Sequence, residues 1–179
     1  MIGCRGTFSI EAAANEFVKI KWSFTGLYAK PTGQDFSAAS FSQVIPPRFT
    51  GASFAIDSYN AAVANLKTGI NNTIAKRTDA SHAIGVREYI ITNRNVTGDI
   101  DIEAAEIATK DFYAMWEGNN RVLLNATVGQ TAGNKCVISA PAVIISDIKY
   151  GDREGILTKQ VSLVFTPDTG NDEIKFSFQ

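Results

Sequence analysis

The chain has 179 residues, 45% of them hydrophobic and 20% charged, which is the make-up of one globular domain large enough to bury a core without staples. Its 17 basic residues against 18 acidic ones leave a formal net charge of −1. That balance argues against a dedicated nucleic-acid binder, because duplex binding is driven by Lys and Arg displacing counterions from phosphates. No stretch approaches the run of about 20 apolar residues needed to span a bilayer, so no membrane anchor is expected.

In chain order, Met1 and Ile2 lead straight into a strand-like pattern with no basic or hydrophobic leader, so no secretory signal is read. In CRGTFSIEA, Phe8, Ile10 and Ala12 alternate with Thr7, Ser9 and Glu11. In EFVKIKWSFTGLYAK, Val18, Ile20, Trp22, Phe24 and Tyr28 share a face opposite Lys19, Lys21, Ser23 and Thr25. The short AAANE link predicts a hairpin, with both apolar rows sent to one core. Residues 30 to 50 then lose all periodicity. Pro31, Gly33, Pro46 and Pro47 punctuate a long loop that still carries Phe36, Phe41, Val44 and Ile45. Loops longer than about 12–15 residues are uncommon in compact domains, and this apolar content predicts burial against the same domain or a neighbour.

Strands are predicted at 52–57 and 62–69. AIGVREYIITNR and VTGDIDIEA are read as a further hairpin turning near Asn95 and Gly98. In AEIATKDFYAMWEG, Ala105, Ala108, Phe112, Met115 and Trp116 recur at three- and four-residue spacing, predicting a helix that packs through this face and stops at Gly118. RVLLNATV, AVIISDIKY, the GDREG turn, ILTKQVSLVFT and EIKFSF are the remaining strands. Pro141 reads as a strand start or an edge position. The fold class expected is mainly β: a sandwich or rolled barrel of antiparallel strands with one flanking helix, a single domain over 1–179.

Candidate chemistry is sparse. His82 is the sole histidine, in a loop reading TDASHAIG, and no nucleophile elbow or Cys-His signature frames it. Cys4 and Cys136 are the two cysteines, read as small buried thiols without zinc spacing. No catalytic residue, metal site or cofactor is expected. Trp22, Trp116 and the tyrosines keep open a carbohydrate-binding or small hydrolytic β-domain, although both tryptophans sit on apolar rows and so read as core. Asp99, Asp101 and Glu103 line one face of a strand. Calcium wants six to eight oxygens from a turning loop, which a flat strand does not supply. The row therefore reads as a wall, the solvated outer face of an antiparallel strand, paired with Arg87 or Arg94 across the expected hairpin.

The order of RGTFSIE, KWSFTGLY, REYIITNRNVTGDIDIEA, ATVGQTAGN, APAVIISDIKYGDREGI and GNDEIKF resembles the major tail tube proteins of long-tailed phages, over essentially the whole chain. The resemblance implies a virion tail protein that assembles in the host cytoplasm as stacked hexameric rings. Its sheets would join around a lumen that DNA crosses without specific binding, which Asp99, Asp101 and Glu103 would face if not solvent, with tape measure and terminator proteins as partners. It also implies that the long loop, through Phe36, Phe41, Val44 and Ile45, reaches a neighbouring ring. Members often carry more sequence ahead of the RGTF-like strand, so a chain starting here is read as a compact or truncated one. The rival with the same fold is the inner tube of a bacterial injection machine of the type VI secretion kind.

Overall fold

The computed structural model describes residues 1–33, 40 and 45–179. Phe36, Phe41 and Val44 lie outside the described residues. The strands are β1 (Ile2–Ala13), β2 (Lys19–Leu27), β3 (Ser53–Ile56), β4 (Tyr59–Asn60), β5 (Val63–Gly69), β6 (Asn72–Thr78), β7 (Val86–Arg94), β8 (Thr97–Glu103), β9 (Val122–Val128), β10 (Cys136–Arg153), β11 (Ile156–Phe165) and β12 (Lys175–Phe178). Among the described residues the one helix, α1 (Phe112–Glu117), stands between β8 and β9. Ten strands form one sheet in the order β2-β1-β5-β8-β11-β10-β9-β3-β4, with β12 also on β10, while β6 and β7 pair apart as a two-stranded ribbon. All the ladders are antiparallel.

β10 is the strand on which the sheet turns over. Its first residues, Cys136–Ser139, lie between β9 and β12, and Val143–Arg153 pair with β11. Pro141 falls between these stretches, at the register break after Ala140. This corrects the edge assignment: a proline lacks the N–H that a ladder needs, and a bulge within a central strand accommodates it equally well. Side chains from both limbs of the turned sheet then share one core, including Phe54, Leu124, Ile138, Leu66, Ile100 and Leu163. β8 follows the predicted alternation: Ile100 and Ile102 are buried, Asp99 and Glu103 exposed, and Asp101 half-buried.

Four further expectations change. The segments 86–94 and 97–103 do not form a hairpin. β7 pairs with β6, which was not foreseen, and β8 lies between β5 and β11. The helix is six residues long and starts after Asp111, whose carboxylate accepts from the N–H groups of Tyr113 (3.0 Å) and Ala114 (2.9 Å). Such a cap stabilises a helix by about 1 kcal/mol. Ahead of it, Ala104 N–H donates to Leu157 O, which holds the chain against β11 instead of coiling it. Ala105 is half-buried against the core and Ala108 is exposed, so neither belongs to a helix face; Phe112 and Met115 are buried. Trp116 is 38% exposed, its indole N–H donating to Ser146 O at 3.1 Å. Cys4 is exposed and Cys136 half-buried, both free thiols, and burial pushes the Cys136 thiol upward in pKa.

Candidate assembly surface

The largest departure from expectation is at β2. Of the predicted apolar row Val18, just ahead of β2, packs against the core, but the rest does not enter it: Ile20, Trp22 and Phe24 are 40%, 59% and 55% exposed, and Tyr28 is exposed too. Register explains why. Ile20 faces Ile10, Trp22 faces Phe8 and Phe24 faces Gly6, so the β2 row continues the core-facing side of β1. Ile10 is buried, and Phe8 meets Phe176 of β12 at 5.6 Å. Phe178, two residues further along β12, is itself exposed, so the covered part of the row ends near this contact. Trp22 stacks on Phe24 with ring centroids 5.9 Å apart and planes 5° from parallel, while Phe8 sits 4.7 Å from Trp22. The aromatic side chains thus cover one another but not the whole surface. β2 is also the first strand of the sheet and has a ladder only with β1, so its outer backbone edge is unpaired among the described residues. The signal in the sequence was real, an apolar row on a strand. What it could not say is whether anything lies across from that row.

The β6–β7 ribbon is the second incomplete element. It has no ladder with the ten-stranded sheet, and Ile84, Ile90 and Ile91 are exposed. A lone two-stranded ribbon is marginal in water. His82 lies in the turn at its tip, where its N–H donates to Asp79 O, and Asp79 accepts from Ser81 Oγ (2.6 Å) and Ser81 N–H (3.0 Å). Those two bonds, with the nearby charges of His82 and Arg77, hold the Asp79 carboxyl below its ordinary value. This is a folded turn with an exposed imidazole.

The carboxylates of β8 stand on the face away from the core, in a field of mixed sign. Lys67 is opposite Asp99 in register, and Asp99 accepts from Ser162 Oγ at 2.8 Å. Arg153, not Arg87 or Arg94, is the basic partner of the row, 3.7 Å from Asp101 and 3.5 Å from Glu103. The reason is topological: β7 is not beside β8, so its arginines cannot reach across. Glu11 on β1 adds another carboxylate, between Lys21 (2.6 Å) and Lys67 (3.7 Å). The Lys21 hydrogen bond, against a smaller opposing effect of burial, keeps the Glu11 carboxyl below its ordinary value. A groove of about 520 Å³ crosses this face, lined by charged side chains of both signs including Glu11, Lys67, Asp99 and Lys149. Among the described residues no three His, Cys, Asp or Glu side chains are grouped to hold a metal ion, and no helix is long and apolar enough to cross a membrane.

Of the loop residues expected to make contacts, Ile45 is 73% exposed; the other three lie outside the described residues. A lysine escaped the sequence reading altogether. Lys159 on β11 is 2% exposed, with Nζ 5.5 Å from the Phe112 ring centroid and 5.2 Å from that of Tyr113, and 3.5 Å from Ala105 O. Its parity with Val161, Leu163 and Phe165 marks it as core-facing, a signal that alternation alone would have supplied.

No curated protein matches the chain. Among solved structures it is similar to one described as the tail of an empty GTA particle computed with helical refinement in C6 symmetry. The identity is 14%, over 66% of this chain and 83% of that one, with a TM-score of 0.44, a likeness too slight to bear on fold or assembly. The family model described as phage tail tube protein matches residues 1–176, and the chain belongs to that family.

Proposed function

We propose that this tail tube protein works by closing into rings of identical copies, six per ring, which stack into the conduit for DNA ejection. The number six comes from the family resemblance and not from the geometry of one chain. The single observation that supports ring closure best is the β2 border: an unpaired edge carrying an uncovered aromatic row. Covering a large apolar side chain in full contributes about 1.5–3 kcal/mol, and pairing the edge satisfies its backbone groups in the same step. A ring requires two different surfaces on each copy, since a surface that meets only itself ends as a dimer. The β6–β7 ribbon supplies the second surface. Its role here is non-catalytic.

The mixed-sign face of β1, β5, β8 and β11 is taken as the lumen wall. Asp99, Asp101 and Glu103 repel phosphates at close range, and Lys67 and Arg153 keep the summed field small. DNA then neither adheres nor meets a high barrier. The part of the 30 to 50 loop that carries Phe36, Phe41, Val44 and Ile45 reaches the adjacent ring, while Phe49 at its end stays in the core of its own chain, bonded to Asn15 and Glu16. Assembly takes place in the host cytoplasm with tape measure and terminator proteins. Electron microscopy of the concentrated protein tests the core of this reading: hollow tubes are expected, and discrete dimers or monomers at all concentrations would reject it.

A further inference from the structure

Among the described residues the β6–β7 ribbon shares no ladder with the ten-stranded sheet, although β7 lies beside β1 and β2 and β6 beside β1. At its first strand, Asn72 Nδ2 donates to Gly6 O at 2.8 Å and Asn72 N–H donates to Thr7 Oγ1 at 3.2 Å. At the last residue of its second strand stands Arg94. Its Nη2 donates to both carboxylate oxygens of Glu173 (2.6 and 2.8 Å), its Nε donates to Oε1 (3.2 Å), and Nη2 also reaches Asn171 Oδ1 at 3.0 Å. Glu173 precedes β12 and its side chain is 15% exposed, against 36% for Arg94. Behind it the loop is tied down in turn. Asp172 accepts from the N–H groups of Asp168, Thr169 and Gly170, and Arg121 lies 3.6 Å from Asp168.

We propose that Arg94 and Glu173 are positioning residues for assembly: together they fix the angle at which the ribbon meets a neighbouring copy. This rests on the ring reading above. A guanidinium fork on a carboxylate defines a direction as well as a distance, which a lysine point charge does not. The pair joins the ribbon's base to a loop that is itself anchored, and so adds a directional tie to the packing of β7 beside β1 and β2. Ring closure makes that angle matter, because an error in one copy is repeated at every interface.

The experiment uses the full chain with Glu173→Gln and Arg94→Lys. Hydrogen exchange on the unassembled protein compares amides of 72–78 and 86–94 with those of β8 and β11. Exchange about tenfold faster in the ribbon alone is expected for both variants, with roughly tenfold more protein needed for tubes. Ribbon exchange equal to wild type overturns the proposal. So does an equal rise in β8 and β11, since the pair would then merely stabilise the fold. Should the wild-type chain form no tubes, the ring reading fails, while the exchange comparison still decides on the pair.

Discussion

Phe8 of β1 and Phe176 of β12 meet edge to face, with ring centroids 5.6 Å apart and planes at 60°. This contact marks the rim of the core. On one side Ile10 and Ala12 are buried; on the other Trp22 and Phe24 continue the same row uncovered. The two sides differ in what lies opposite them and not in residue type.

Trp22→Glu combined with Phe24→Glu separates folding from assembly. Both side chains are more than half exposed, so the loss in the single chain is that of ring contacts, about 0.5–1.5 kcal/mol per aromatic pair. The expected outcome is a folded monomer, its thermal midpoint lowered by a few degrees, about 2–4 °C per kcal/mol, that forms no tubes by sedimentation or microscopy. Tubes at wild-type protein concentration would remove β2 from the interface.

Lys159→Met removes a buried cation. Cation–π contact with Phe112 and Tyr113 is worth about 0.5–2 kcal/mol, whereas withdrawing an ammonium from water costs several. Desolvation therefore wins. The thermal midpoint is expected to hold or to rise by about 3 °C. A fall of that size would mean that the ring contacts and the bond to Ala105 O outweigh it.

The loop before β12 carries an acid sensitivity. The Thr169 hydroxyl, then the Thr169, Asp168 and Gly170 N–H groups, hold the Asp172 carboxyl far below its ordinary 3.8. For Glu173 burial pushes upward, but the Arg94 hydrogen bonds and charge outweigh it, so that carboxyl also lies below its ordinary value. A carboxyl depressed in the folded state stabilises fully above its unfolded value and loses that contribution as pH falls beneath it. Thermal melts should show Asp172→Asn less stable than wild type near neutral pH, with the gap narrowing as pH drops below about 4. A constant gap down to about pH 2 would contradict the assignment.

Neutralising the carboxylate row by Asp99→Asn, Asp101→Asn and Glu103→Gln leaves Arg153 without its carboxylate partners and Lys67 with Glu11 alone, a pair it shares with Lys21. Tubes should still form, and DNA release should slow in a way that added salt relieves, because the freed cations now hold phosphates. Release at the wild-type rate would place this face away from the lumen.

Deleting residues 34 to 44 should leave a soluble, folded protein that no longer stacks into long tubes. Tubes of normal length, measured by microscopy, would show that the loop does not join adjacent rings.

The sequence by itself determined most of the strands, though not β6, and the two-sided alternation within them. Alternation depends on backbone geometry alone, so TGDIDIE could be resolved into buried isoleucines and outward carboxylates without knowledge of any partner. The order of its motifs also carried the family. Pairing was not legible: 86–94 and 97–103 are adjacent in sequence, yet a strand accepts any neighbour of matching register, and β7 took β6. Nor was the helix start, where the regular spacing of Ala105 and Ala108 competed with a cap at Asp111 and a backbone bond to Leu157. Trp22 is the clearest case. Whether an apolar row is core or surface depends on what lies across from it, and only the tertiary structure decided that Trp22 and Phe24 stand exposed past the Phe8–Phe176 contact.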